Sequence, residues 1–234
     1  DYIATGRMAA QFFAKKKYKN FAFYGNKNAL WSRERAEGYF SEVQKLGGNY
    51  YYFETEVLNE EDWNSGHIEL DAWLLSLPKP IGLFACDDSF ALQVSEICKI
   101  TNINIPNEIS LLGVDNDELI CNLSDPPISS IVLNVEKGGY EAGRLIHQLI
   151  KKEKTSPFNI MVKPARIELR QSTEKYNLSN EYIAQVVDYI EKNFDSDIHI
   201  DSLTKMVPLS RRNLETKFKN ELGVPIYQFL LNCR

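Results

Sequence analysis

Carboxylate and amide side chains follow three apolar segments of the chain. They are Asn26 and Asn28 after FAFYG, Asp87 and Asp88 after IGLFA, and Asp115, Asn116 and Asp117 after ISLLGV. Ligands of open parallel sheets bind at the carboxyl ends of the strands, so we expect these side chains to line one pocket. Their chemistry suits a polyhydroxyl ligand, because each hydroxyl donates and accepts and carboxylates form charge-assisted hydrogen bonds. Trp31 and Trp63 are predicted on the same side, as aromatic faces for a sugar ring.

Structural roles compete with binding roles at each of these positions. Asp88 is predicted to be the N-cap of the helix SFALQVSEICKI, which would leave Asp87 to face the ligand. Asp115 and its neighbours are equally typical of a simple turn. Arg35 has Glu34 and Glu37 beside it and would by default be a solvated charge.

The elements that must hold these side chains follow an α/β pattern from residue 1 to about 170. Continuous apolar runs predict strands buried on both faces, as in an open parallel sheet. The predicted strands are 21–25, 50–53, 81–85, 109–114, 160–162 and 166–169, and the predicted helices are 6–18, 31–46, about 65–76, 88–100 and 138–152.

A second, all-helical domain is predicted after a polar linker at 171–179. From residue 180 to 234, apolar residues recur at helical spacing, with Phe194 at the end of the first buried face. A short helix near Leu203, the turn VPLS and a helix beginning after Ser210 and ending before Gly223 form a helix-turn-helix pattern.

Composition excludes several classes of protein. The 234 residues are 44% hydrophobic with a net charge of −5, which predicts globular domains and, averaged over the chain, disfavours a nucleic-acid partner. No apolar run is long enough to span a membrane and no signal-peptide pattern is present, so the chain is predicted to be cytoplasmic. Four dispersed cysteines and three histidines without ligand spacing predict neither a metal nor another cofactor.

Residues 1–170 resemble the effector-binding core of the lactose-repressor/galactose-repressor (LacI/GalR) family. The motifs that carry the resemblance are GRMAAQFF, SRERAEGYF, LFACDDSFAL, IPNEISLLGVDND and PPISSIV. The resemblance implies a periplasmic-binding-protein-like sensor, mostly its second subdomain, in which Arg35, Trp63, Asp87 and Asp115 contact a sugar. Many members have Asn-Asp where this chain has Asp87-Asp88. The family also has a first subdomain of comparable size, so this chain resembles an internal piece of a longer regulator.

The tail resembles the first helix-turn-helix of AraC-type regulators, through Ser210, Leu214, Phe218 and Gly223. A LacI/GalR-like sensor followed by such a domain is the order found in xylose-operon regulators. The resemblance therefore implies a homodimeric transcription regulator that binds promoter DNA and responds to a pentose, D-xylose. Arabinose, another sugar or a uronic acid stay open as effectors.

The tail that carries the predicted recognition helix is locally basic, with six basic and three acidic residues between 199 and 234. Leu214 and Phe218 would face inward. Arg212, Glu215 and Thr216 are predicted to read base edges, and Arg211 and Lys219 to contact phosphates. The bland alternative is a solvated charged helix.

Two other classes remain at this stage. A carbohydrate-acting enzyme would use Asp87 or Asp88 with Asp115 as acid and base. Against it, the chain has no nucleophile elbow, HExxH or Walker motif, and the helix-turn-helix would be unexplained, so we predict that it is not an enzyme. A transport-type binding protein would need export, and the same tail argues against it.

Overall fold

The chain divides into two compact units, Asp1–Thr173 and Glu174–Arg234. The structure is a computed structural model that describes residues 1–56, 63–153, 159–196 and 198–233, with the backbone alone for 63–68 and 232. Among these residues, no helix has the length and apolar content to cross a bilayer.

The first unit is built on a six-stranded sheet in the order β2-β1-β3-β4-β5-β6. Its strands are β1 (Asn20–Asn26), β2 (Asn49–Thr55), β3 (Ile81–Ala85), β4 (Ile109–Val114), β5 (Ser129–Leu133) and β6 (Pro164–Glu168). The first five are parallel, and β6 pairs antiparallel with β5. The predicted open, mostly parallel sheet is confirmed.

Helices connect and cover these strands. They are α1 (Tyr2–Lys15), α2 (Leu30–Lys45), α3 (Trp63–Ser76), α4 (Asp88–Ile100), α5 (Glu118–Leu123) and α6 (Val135–Ile150). Helix α1 packs against α2, and α4 packs against both α3 and α5. Every residue of β3 and β4 is buried, which explains their uninterrupted apolar sequence.

Strand order reverses between β1 and β3, because the chain leaves β1 toward β2 on one side and returns to β3 on the other. In an open α/β sheet this switch point separates the connecting loops and leaves a crevice at the carboxyl ends of the strands. The loops after β1, β3 and β4 are therefore the parts of this unit placed to bind a ligand.

The second unit consists of helices α7 (Glu181–Lys192), α8 (Ile200–Met206), α9 (Arg211–Leu222) and α10 (Ile226–Cys233) in its described part. Apolar residues from all four helices form its core. Ser210 caps α9 by accepting a hydrogen bond from the Asn213 N–H, and Gly223 ends the helix in the left-handed region at φ 78°.

The structure corrects several local predictions. Residues 160–162 lie outside β6, and Met161 is exposed, because three apolar residues do not by themselves provide a ladder partner. The partner of β6 is β5, a strand that the pattern did not indicate. Helix α6 has no buried residue, although its sequence is amphipathic. Phe194 lies beyond the end of α7 and is exposed, so the buried face is shorter than predicted.

The predicted linker 171–179 also begins too early. Residues 171–173 form a short 3₁₀ turn within the first unit, with Ser172 and Thr173 buried. Their hydroxyls hydrogen-bond to the sheet, an arrangement that a polar sequence does not distinguish from a solvated linker.

Candidate functional site

The centre of the candidate site is Arg35, a buried arginine on α2 that is only 3% exposed. Its Nη1 donates to the carbonyl of Cys86 at the end of β3, and its Nη2 lies 3.3 Å from Oδ1 of Asp115, just after β4. The solvated-charge alternative for Arg35 is therefore wrong. A buried guanidinium is costly unless it is paired, and these contacts supply the compensation.

Close helix packing explains why this arginine is buried. A Cβ atom at Gly6 of α1 would clash with the carbonyl oxygen of Arg35, so the two helix backbones meet at this point because residue 6 has no side chain. This close approach places Tyr2 of α1 over the guanidinium, with the tyrosine ring centroid 5.5 Å from the Arg35 Cζ atom. Tyr2 is a site residue that the sequence did not indicate, since nothing local links it to Arg35.

Trp31, predicted as an aromatic face for a sugar, lies beside Arg35 in the structure. It lies one turn before Arg35 on α2, with its ring centroid 5.1 Å from the Arg35 Cζ atom. This spacing is within cation–π distance. Trp63, the other predicted face, begins α3, and its side chain lies outside the described residues.

Not every donor atom of Arg35 is paired. Its Nε is buried and, among the described residues, has no hydrogen-bond partner. Buried polar atoms are nearly always paired in native proteins, so this Nε is a candidate donor for a ligand group. The Asp115 side chain is half exposed, and it can accept from a hydroxyl on the side away from Arg35.

Neither Asp87 nor Asp88 has the structural role that the sequence predicts for it. Asp87, not Asp88, is the N-cap of α4, and its Oδ1 accepts from the Phe90 N–H at 2.8 Å. The pattern fails here because either residue of an Asp-Asp pair satisfies the capping preference, and only the backbone decides. Burial raises the pKa of Asp87, and the nearby Asp115 carboxylate raises it further.

Asp88 is instead buried, and it holds the segment that follows β4 by hydrogen bonds. It is 2% exposed, its Oδ1 accepts from the Ser130 hydroxyl at 2.6 Å, and its Oδ2 accepts from the Asp117 N–H at 2.7 Å. Burial raises the pKa of Asp88 to about 6, with these hydrogen bonds acting in the opposite direction. A Cβ atom at Gly113 would clash with the same carboxylate, so the Asp88 side chain packs directly against the backbone of β4.

The segment 115–117, which we call the effector loop, has an unusual backbone. Asp115 and Asn116 have φ angles of 99° and 56°, in the left-handed region that residues other than glycine rarely adopt. The Asp115 N–H donates to the Ile131 carbonyl, and the Asn116 N–H donates to the Ser130 hydroxyl. Together with the hydrogen bond that the Asp117 N–H donates to Asp88, these bonds hold the loop in one conformation.

The predicted DNA-contacting residues lie on α9 of the second unit. Leu214, Phe218 and Leu222 are buried, and all five predicted contact residues are exposed, namely Arg211, Arg212, Glu215, Thr216 and Lys219. Three of their side chains, those of Arg211, Glu215 and Thr216, have partners within the unit. The Arg211 Nε donates to Glu215 at 3.1 Å, and Arg211 also lies 3.6 Å from Asp201. The Thr216 hydroxyl donates to the Arg212 carbonyl.

The comparisons with known proteins agree with this picture of the first unit. Residues 10–173 match the model of the periplasmic binding protein-like domain. The chain is 31% identical over 233 residues to the xylose operon regulatory protein of Haemophilus influenzae, and 32% identical over 240 residues to that of Escherichia coli K12. Each alignment covers 98% of this chain and 60% of the relative, so the chain spans about 60% of their length.

Solved structures give the same result. The structure of the xylose-binding transcription activator XylR aligns with a TM-score of 0.67 at 29% identity, over 99% of this chain and 62% of that one. The transcriptional regulator CelR in complex with cellobiose aligns with a TM-score of 0.62 at 22% identity, over 74% of this chain and 52% of that one, which supports the fold alone.

These relatives are transcription regulators and not enzymes, in agreement with the prediction made against an enzyme. The resemblance to xylose-operon regulators is confirmed along nearly the whole chain. With a family model that matches most of its length, the chain belongs to the periplasmic binding protein-like domain family.

Proposed function

We propose that this protein is a sugar-responsive, DNA-binding transcription regulator, with a pentose, D-xylose, as its effector. The observation that carries the proposal is the buried Arg35: its Nε is unpaired among the described residues, its Nη2 lies beside Asp115, and its guanidinium lies beside the indole of Trp31. A donor, a carboxylate and a flat apolar face are the three groups that a sugar ring needs. The xylose operon regulators that resemble this chain support D-xylose as the effector.

The sugar would act through the two units of the chain. Ligand bound at Arg35 and Asp115 favours one arrangement of the sensor, and the second unit is presented to promoter DNA accordingly, in a homodimer of the cytoplasmic regulator. Such coupling is reciprocal, and its size is limited by the difference in sugar affinity between the two arrangements.

The proposed DNA-binding element is α8 followed by α9, a helix-turn-helix of the AraC type. Four residues join the two helices, a serine caps α9, and a left-handed glycine ends it. The exposed side of α9 then carries Arg212 and Lys219, whereas the partners of Arg211 within the unit make it a less available phosphate contact than the sequence predicts.

The sensor proposal is tested by thermal unfolding of the full chain with D-xylose, L-arabinose, D-ribose, D-glucose and D-glucuronate. At about 100 times the Kd, a ligand adds about 2.7 kcal/mol to the free energy of unfolding. For a unit of this size that corresponds to a rise in Tm of about 5–11 °C. A response to arabinose or glucuronate in place of xylose would change the effector. No response to any sugar would contradict the sensor itself.

For DNA binding, Arg212→Ala and Lys219→Ala are expected to differ in kind. Loss of Arg212 should relax discrimination at one base pair by about 1–3 kcal/mol, because arginine reads guanine with two hydrogen bonds. Loss of Lys219 should weaken binding to all duplexes by the same factor. It should also lower the slope of log affinity against log salt concentration by about 1, the contribution of one phosphate contact. Fluorescence anisotropy with a duplex selected from a randomised library, and with its single-base variants, measures both effects.

The control for these variants is Lys192→Ala, an exposed cation at the end of α7 that pairs with Asp188. It should leave affinity, base discrimination and salt dependence unchanged. Equal behaviour of the Arg212 and Lys219 variants would mean that α9 does not read sequence.

A further inference from the structure

Arg170, a residue in neither the predicted pocket nor the predicted recognition helix, makes three side-chain hydrogen bonds. Its Nη2 donates to Oδ1 of Asn116 at 2.9 Å, its Nε to Oδ1 of Asn122 at 2.7 Å, and its Nη1 to the Ile128 carbonyl at 3.0 Å. The acceptors belong to the effector loop, to α5 and to the turn before β5. Only arginine presents donors in a rigid planar fork that can reach three such acceptors together.

The backbone beside Arg170 is fixed as firmly as its side chain. The Arg170 N–H donates to the Ser129 hydroxyl at 2.7 Å, and the Ser172 hydroxyl donates to the Leu111 carbonyl at 2.6 Å. The hydroxyls of Ser129 and Thr173 lie 2.7 Å apart, and both residues are buried. Residues 170–173, which we call the junction segment, are thus attached to β4 and β5, and the second unit begins at the next residue.

The effector loop and the junction segment are attached to the same two strands. Asn116 is the direct neighbour of Asp115, whose carboxylate pairs with Arg35. A ligand that shifts the backbone at Asp115 would shift the Asn116 amide with it, because the two residues are adjacent and belong to one left-handed segment that the same hydrogen bonds hold. The Asn116 side chain is held by Arg170 itself.

We propose that Arg170 is the positioning residue that transmits the state of the effector loop to the junction segment, and so couples sugar binding to DNA binding. The inference rests on the proposed function, because it assigns a route for the coupling that the function requires. Arg170 itself does not touch Arg35 or Asp115 in the described contacts, so sugar affinity and coupling should separate.

The test measures a coupling factor, the ratio of DNA affinities of the full chain with and without saturating D-xylose. The DNA is a duplex selected from a randomised library. Coupling between sites is commonly about 5- to 150-fold, and we expect Arg170→Ala to reduce the wild-type factor to below about 2-fold. Titration of D-xylose in the absence of DNA should give a Kd within a few-fold of wild type, a result that general damage to the sensor would not produce.

Two further variants make the assignment specific. Arg170→Lys keeps the positive charge but cannot hold three acceptors, so it should also lose most of the coupling. Asn116→Gly removes the acceptor while tolerating φ 56°, and it should lose coupling without adding to the effect of Arg170→Ala in the double variant. The matched control is Arg166→Ala, an exposed arginine on β6 whose partner is Glu168.

The inference is overturned if Arg170→Ala keeps the wild-type coupling factor, if Asn116→Gly keeps it, or if Arg166→Ala loses it equally. Should Arg170→Ala fail to fold, Arg170→Lys and Asn116→Gly decide in its place. If xylose binds the wild-type chain but leaves its DNA affinity unchanged, the proposed function is contradicted, and the coupling role of Arg170 with it. Intact coupling in wild type and in the Arg170 variants would contradict the role of Arg170 alone.

Discussion

Asp115→Gly is expected to remove the stabilisation of this chain by D-xylose. Glycine adopts the φ of 99° at this position without penalty, so the variant deletes the carboxylate while sparing the backbone. A hydrogen bond to a charged group contributes about 1.5–3 kcal/mol, and the loss also leaves the buried Arg35 without its counter-charge. An increase in Kd of about 100-fold, equivalent to about 2.7 kcal/mol, is expected.

Thermal unfolding with and without sugar measures this effect. At a D-xylose concentration of about 100 times the wild-type Kd, the wild-type chain gains about 2.7 kcal/mol, whereas the variant should gain about 0.4 kcal/mol. Glu118→Ala is the matched control, because this exposed carboxylate lies three residues further along, in the first turn of α5. An unchanged response in Asp115→Gly would remove Asp115 from the proposed site.

Phe218→Ala is expected to unfold the second unit and abolish DNA binding while the first unit still responds to sugar. Phe218 is fully buried and contacts Phe229 edge-on, with ring centroids 5.5 Å apart. Truncation of a buried phenylalanine costs about 3–5 kcal/mol. A unit of about 60 residues has a free energy of unfolding of only about 3–9 kcal/mol, so the substitution is expected to remove most or all of the stability of this unit.

Calorimetry with limited proteolysis checks this result. Cleavage is expected after the boundary at Thr173–Glu174, and the transition that D-xylose shifts should remain. Asn220→Ala, an exposed substitution on the same helix, should retain DNA binding and both transitions. Loss of the sugar response in Phe218→Ala would show that the two units do not fold independently.

Local sequence patterns determined much of this molecule. Continuous apolar runs located the buried strands β1, β3 and β4, because strands covered on both faces have no polar side to present. Ser210 and Gly223 marked the ends of α9, because capping and left-handed termination involve only near neighbours. The polar residues after the strands indicated the edge of the sheet where Asp115 and Asp87 lie. Their position after apolar segments and the family resemblance both pointed to these two residues.

The tertiary structure alone decided the remaining features. It assigned the cap of α4 to Asp87 and buried Asp88, a choice for which two adjacent aspartates give no local preference. It buried Arg35, which the family resemblance placed in the site but the local pattern favoured as a surface charge, because a distant glycine lets α1 approach. It also joined Arg170 to Asn116 across 54 positions of sequence. Contacts of this kind depend on which strands become neighbours, and that information is spread over the whole chain.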